Sequence, residues 1–402
     1  MLQQSQTALK LQLYKSELTA ELHNILTYWL KHTPDYENGG FYGKIDHQNK
    51  VYPYAPKGSV LHARILWAFS AAYNLEANAD YLQQADRAFH YISTYFVDKL
   101  CGGVYWTVTY EGEPLDTKKQ VYANAFVIYA LAEYYTATGN GQAKELAVSL
   151  YHLLVKKSYD TNLTGYLEAF TREWKPIGDL RLSAKDANEK KTMNTHLHVL
   201  EAYANLYRIW PDAELKQQIV TLLENFLSHI VDNETGHLIL FFDEEWNRRS
   251  TTVSYGHDIE AAWLLLEAAE VINDNSLIER LKVLAVKMAD AALEGLDKDN
   301  GLWYEYEPDN QHLIREKHWW VQSEAMVGFF NAGHITGKDE YINASVNNWD
   351  FVKEHILDKD GGEWVWGIDA DGNLMPNEDK VGIWKCPYHN SRACIELIKR
   401  IC

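Results

Sequence analysis

The chain has 402 residues, 47% of them hydrophobic and 23% charged, and a net charge of −18. Such a composition describes an ordinary soluble globular protein with ample apolar material for a core. The acidic balance argues against nucleic acid, anionic membrane surfaces and polyanionic substrates, and leaves a neutral sugar open.

The length suits two or three domains or one large barrel. Cys101, Cys386, Cys394 and Cys402 form no C-x-x-C pair, so zinc and thioredoxin chemistry are not indicated. The N-terminus lacks a basic-then-apolar leader, and no apolar run approaches spanning length. These features predict a cytoplasmic protein with reduced thiols, and a monomer is expected.

Taken in order, the chain alternates two patterns. Helical periodicity predicts helices over 7–32, 60–75, 80–97, 122–138, 142–157 and 193–210, then 213–231, 257–273, 275–294, 318–335, 338–356 and 389–401. Between them, glycine-led aromatic segments recur six times. They begin at Gly39-Gly40-Phe41, Gly102-Gly103-Val104, Gly165-Tyr166, Gly236-His237, Gly301-Leu302 and Gly361-Gly362. The spacing is roughly sixty to seventy residues, and each segment leads into a polar turn such as Ala370-Asp371-Gly372-Asn373. These read as short β-hairpins. Tight turns such as Thr138-Gly139-Asn140 and Thr336-Gly337-Lys338 separate the two helices of each interval.

Six helix pairs with six hairpins predict an all-α fold, an (α/α)6 barrel of twelve helices forming one domain over 1–402, with the hairpins on one rim. An open helical solenoid is the alternative. The helix after each hairpin is alanine-rich, as at Ala68, Ala71 and Ala72, and is assigned to the inner ring. The partners, charged along one face as in 214–224, are assigned to the outer ring.

This topology brings the N-termini of the inner helices to the hairpin rim. They carry Arg64; Tyr122; Asn194 and His198; His257 and Glu260; Trp320 and Glu324; and His389, with Trp384 just before it. Gly256 reads as a backbone breaker that places His257 in a first helical turn, where the dipole disfavours imidazolium. Glu260, three residues on, is expected to reach the same ring. Arginine, three histidines and two glutamates around one cavity suit proton transfer. No H-x-x-x-H or H-E-x-x-H occurs, and His196 and His198 diverge on a helix, so no metal is assigned. No G-x-G-x-x-G supports a nicotinamide cofactor. Two other readings stand beside a proton-transfer enzyme: a glycoside hydrolase using Glu260 and Glu324, and a non-catalytic sugar-binding or partner-binding module.

Five segments carry a resemblance spanning essentially the whole chain: 54–64, 191–198, Tyr255-Gly256-His257-Asp258-Ile259-Glu260-Ala261, 318–325 and Trp384-Lys385-Cys386-Pro387-Tyr388-His389. They resemble the N-acylglucosamine 2-epimerase superfamily and, within it, the cellobiose 2-epimerases. The resemblance implies an (α/α)6 barrel, a disaccharide substrate, no cofactor, and inversion at C2 of the reducing-end sugar. It further implies that His257 and His389 are the acid/base pair, with Arg64 and His198 stabilising an enediolate. Glu260 and Glu324 would tune the histidines, and Tyr122, Asn194, Trp320, Trp384, Glu324 and Asp186 would hold the sugar.

Overall fold

The structure is a computed structural model describing residues 2–375 and 377–401. Cys402 lies outside the described residues. Among the described residues there are twelve α-helices: α1 (Leu2–His32), α2 (Ser59–Glu76), α3 (Ala79–Tyr91), α4 (Val121–Thr138), α5 (Gly141–Lys157) and α6 (Met193–Ile209); then α7 (Ala213–Asn225), α8 (Tyr255–Val271), α9 (Asn275–Leu293), α10 (Trp319–Thr336), α11 (Asp339–His355) and α12 (Tyr388–Arg400). Helices α3 and α7 each end in a π-helical turn, Ile92–Phe96 and Phe226–Ile230, where regular α-helix was expected. No helix among the described residues is long and apolar enough to cross a membrane.

The even-numbered helices close a ring. α2 packs on α4, α4 on α6, α6 on α8, α8 on α10, α10 on α12, and α12 returns to α2. The architecture is therefore the closed (α/α)6 barrel and not the open solenoid. Each inner helix is backed by an outer one, with α1 serving α12. Burial follows the assignment: α4 is buried without interruption from Val121 to Ala132, whereas α3 buries only the stripe Tyr81, Gln84, Ala85, Ala88 and Tyr91. Small residues allow the inner helices to approach. At Gly328 of α10 a Cβ would stand 2.5 Å from the Ile259 carbonyl oxygen of α8.

The hairpins form a circuit on one rim. The strand before each inner helix pairs with the next repeat's hairpin: Lys57–Gly58 with 107–108, Lys119–Gln120 with 169–170, Lys191–Thr192 with 241–242, Val253–Ser254 with 305–306 and Lys317–His318 with 367–368. Val381 bridges to Ile45 and completes the circle.

A recurring anchor fixes each inner helix beneath this rim. The residue after the hairpin glycine, or in the fourth repeat the second residue after it, donates its backbone N–H to the fourth residue of the helix. Phe41 donates to His62 (3.3 Å), Val104 to Asn124 (3.0 Å), Tyr166 to His196 (2.9 Å), Leu238 to Asp258 (2.8 Å) and Leu302 to Gln322 (2.7 Å). In the sixth repeat Glu363 intervenes, accepting from Trp364 N (2.9 Å) and from Asn390 (2.6 Å). Buried ion pairs lie below four of these turns: Lys57–Asp35, Lys119–Asp98, Lys191–Asp160 and Lys317–Asp297. In the fourth repeat Val253 stands where the lysine would, and Asp258 takes His237 as its partner at 2.7 Å. Removing one member would strand a buried charge, so these positions are architectural.

Candidate active site

The anchors set the register of the functional side chains. His257 and His389 directly precede an anchor; Tyr122, Asn194 and Trp320 lie two residues before one; Arg64, His198, Glu260, Glu324 and Arg392 lie two residues after one. A cavity of about 730 Å³ opens at the rim. Arg64, Tyr122, Asn194, His198, His257, Glu260, Trp320, His389, Trp384 and Asp186 all line it. Glu324 does not, although a sugar contact was expected of it. Glu324 lies one turn deeper, behind His389.

His389 is oriented from below. Its Nδ1 meets Glu324 Oε1 at 2.7 Å, so the Nδ1–H is committed there and Nε2 remains available to the cavity. Burial, with the positive charges of Arg64 and Arg392, drives its pKa well below the ordinary histidine value. His198 repeats this arrangement, with Nδ1 on Glu201 at 2.9 Å. His257 differs: its Nδ1 meets the Ser254 hydroxyl at 2.8 Å. Burial and the neighbouring His198, Lys185 and His389 hold its pKa down at about 3, against an opposing pull from Glu324. The two proposed proton carriers are thus neutral imidazoles near pH 7. Trp320 touches both, at ring-centroid distances of 4.8 Å from His257 and 5.7 Å from His389. Gly256 permits this placement. It is the second residue of α8 and not a breaker, and a Cβ there would meet the Trp320 ring at 2.6 Å.

Glu260 also departs from expectation. It is engaged by Arg392 Nη2 at 2.6 Å, and no hydrogen bond joins it to His257. The same nitrogen reaches Glu324 Oε1 at 2.6 Å, while Nη1 contacts Glu201 and the Tyr388 hydroxyl. Arg392 therefore binds carboxylates from three helices, two of which orient histidines. Burial and the Glu324 charge push Glu260 up to about 8 despite Arg392, so one proton is held within the Glu260–Glu324 pair near neutrality. For Glu201, burial is outweighed by Arg392 and His198, and its pKa falls to about 2. Carboxylate and imidazole atoms of Glu260, Glu324 and His389 cluster within 4.8 Å, a spacing compatible with a cation. The Arg392 guanidinium already occupies that role for both carboxylates.

Arg64 is 3% exposed, and among the described residues it has no carboxylate within ion-pair distance. Its Nη2 donates to Tyr122 Oη at 2.8 Å, and its plane lies 4.2 Å from the Phe126 ring centre. A buried guanidinium with only neutral partners is prepared for an anion that appears in the cavity. Trp384 packs against Trp106 (5.7 Å) and Tyr122 (5.9 Å) at the cavity wall. The Asn194 side-chain oxygen has no protein partner, and Asp186 Oδ2 accepts from Ser183 N at 2.8 Å.

Sequence reasoning missed Arg392, Glu201, Ser254, Glu168 and Lys185. Arg392 had a usable signal, because it occupies the register of Arg64. Glu201 follows His198 by three residues, as Glu260 follows His257. Glu168 had none: it lines the cavity, accepts from Thr192 (2.9 Å) and Thr195 (2.6 Å), and is raised to about 8 by burial.

The sequence profile of the N-acylglucosamine 2-epimerase (GlcNAc 2-epimerase) family matches residues 40–393. The chain belongs to that family. It is 49% identical to a cellobiose 2-epimerase of Bacteroides fragilis over 96% of this chain and 99% of the relative. It is 39% identical to a cellobiose 2-epimerase of Dictyoglomus turgidum over 97% and 100% of the two chains. The solved structure of cellobiose 2-epimerase from Bacillus thermoamylovorans B4167 superposes with a TM-score of 0.93 at 41% identity, covering 97% of this chain and 100% of that one. Membership of this family makes the protein a carbohydrate-epimerising isomerase.

Proposed function

We propose that the protein catalyses reversible C2 epimerisation of the reducing-end glucose of β-1,4-linked disaccharides, cellobiose to glucosyl-mannose and lactose to epilactose. The observation that carries this reading is the pairing of the carboxylate-free Arg64 guanidinium with two neutral imidazoles in one cavity.

Ring opening gives a C1 aldehyde, which acidifies the C2–H. One imidazole, His257 or His389, removes that proton, and the electron pair delocalises to oxygen as a cis-enediolate. Arg64 faces the developing negative charge. The abstracted proton passes through the enediolate oxygens to the other histidine, which as its imidazolium returns it to the opposite face of C2, and the ring recloses as the epimer. His198, with its Nδ1–H committed to Glu201, offers Nε2 as an acceptor for a sugar hydroxyl. Trp320 and Trp384 supply flat apolar faces, and Tyr122, Asn194 and Asp186 supply polar contacts. Every step uses side chains, and none calls for a metal or nucleotide. A single catalytic domain over 1–402, working as a cytoplasmic monomer, is the setting we infer; light scattering after gel filtration tests the monomer.

The hydrolase alternative needs two carboxyl groups separated across a glycosidic bond, about 5–9.5 Å apart. Here Glu260 and Glu324 converge on one Arg392 nitrogen, and Glu324 is sealed behind His389. Incubation with cellobiose alone, followed by NMR of the sugars, tests the proposal. An epimeric disaccharide supports it; free monosaccharides or unchanged substrate would refute it.

A further inference from the structure

Loop 178–190 roofs the cavity, running from the second repeat to the fifth. At one end Gln120 donates to the Arg181 carbonyl (3.0 Å), as does Lys118 (3.3 Å). Asn188 and Asp186 hold the loop's own shape, through Leu180 N to Asn188 (2.8 Å) and Ser183 N to Asp186 (2.8 Å). At the other end Lys185 contacts Tyr304, donating to its hydroxyl with the ammonium 4.5 Å from the ring centre.

Tyr304 is itself held firmly. It stacks on His318 at 4.1 Å, His318 meets Glu316 at 2.9 Å, and Tyr304 stands edge-on to Trp320, which packs on His257. Among the described residues Lys185 has no carboxylate within ion-pair distance, although Glu305 and Asp186 line the cavity on its side. Its charge is therefore directed at a phenol and at the cavity. His257 is faced by His198 from α6, Glu324 from α10, His389 from α12, Glu260 on its own helix and Ser254 from the preceding strand. Lys185 is the roof's contribution among the charges named as acting on it.

We propose that Lys185 is a positioning residue for epimerisation: it latches loop 178–190 onto Tyr304 over the reducing-end sugar and thereby sets a positive charge beside His257. Closure of the roof and readiness of the base are then one event. Solvent is excluded while the roof's positive charge, held beside His257, opposes protonation of that ring on the acid side. This inference rests on His257 acting as the acid/base group.

The test uses Lys185→Gln, Lys185→Arg and Tyr304→Phe in the full chain. The pH profile of kcat/KM on cellobiose is measured, and the histidine rings are titrated by NMR. Lys185→Gln should lower kcat/KM by about tenfold and raise both the acid limb and the His257 titration by roughly 0.5–1 pH unit. Lys185→Arg should restore the limb. Tyr304→Phe removes the hydroxyl that receives the latch and should raise KM and move the limb in the same direction as Lys185→Gln. An unmoved His257 titration in Lys185→Gln, or an arginine variant that behaves like the glutamine one, overturns the proposal. Wild type that forms no epimer overturns the epimerase reading and this proposal with it, whereas active wild type with an unmoved titration removes Lys185 alone.

Discussion

His257 and His389 occupy the same register of the fourth and sixth inner helices, each one residue before the side chain that ties its helix to the hairpin rim. The repeat between them contributes Trp320, whose indole touches both rings. Two neutral imidazoles thus approach one cavity from separate helices. Each is fixed by its own backbone anchor and not by contact with the other. A substrate turned within such a cavity meets a proton carrier on either side.

Substituting either histidine with asparagine should therefore abolish epimerisation, by at least about 10²–10⁴-fold. In D₂O a variant that still opens the ring should exchange the C2 proton of only one epimer, the one facing the surviving histidine. The measurement is C2–H loss by NMR from cellobiose and, separately, from glucosyl-mannose. Interconversion at near wild-type rate in either variant would remove that histidine from the mechanism.

Arg64→Met should reduce kcat by about 10²–10³-fold with a smaller change in KM, because the guanidinium faces charge that exists only as C2 is deprotonated. Arg64→Lys keeps the charge but not the planar guanidinium whose Nη2 donates to Tyr122, and should recover only part of the rate. A variant whose KM rises while kcat holds would make Arg64 a ground-state contact.

The pH dependence follows from the direction of each shift. His257, held down at about 3, is already deprotonated at pH 5, and His389 is held in the same direction by burial and by Arg64 and Arg392. kcat/KM should stay flat down to that pH and fall only on further acidification. The proton held by the Glu260–Glu324 pair is lost on the alkaline side, near 8 for Glu260, which sets an upper limb. Glu260→Gln should move or erase that limb, and an identical alkaline limb in the variant would assign it to another group.

Glu168 offers a separate test in stability. Its folded pKa, about 8, lies above the ordinary carboxyl value. Its stabilising contribution is complete below the unfolded pKa, near 4.5, and is lost as pH rises through 8. Glu168→Gln does not titrate. Its stability relative to wild type should climb between pH 5 and pH 9, by up to a few kcal/mol. Urea unfolding of both proteins at pH 5, 7 and 9 measures this. A constant difference would mean that Glu168 is ionised in the fold.

Much of this molecule was legible in the chain because the repeat writes itself in glycine and alanine. Glycines mark each hairpin, and small residues mark each helix that must be buried all round. The rim set followed from those two patterns. Depth did not. Trp320 and Glu324 share a helical face, yet a full turn separates the cavity wall from the layer beneath it, where Glu324 supports His389. Register alone groups Arg392 with Arg64, but it does not reveal its partners, since Glu201, Glu260 and Glu324 come from three other helices. The π-helical turns of α3 and α7 leave no periodic signature in so short a span.

Closure of the ring by α12 against α2, with α1 behind it, has a consequence for synthesis. Tyr14 meets Ser345 and Glu21 meets Trp364, contacts that span more than three hundred residues. Contacts this distant in sequence form slowly. A growing polypeptide that has released five of the six repeats holds Arg64, His198 and His257 but not His389. Its long first helix still waits for the partner that covers it. Turnover should therefore begin only when the last repeat docks, and until then the apolar flank of α1 is a surface for chaperones to shield.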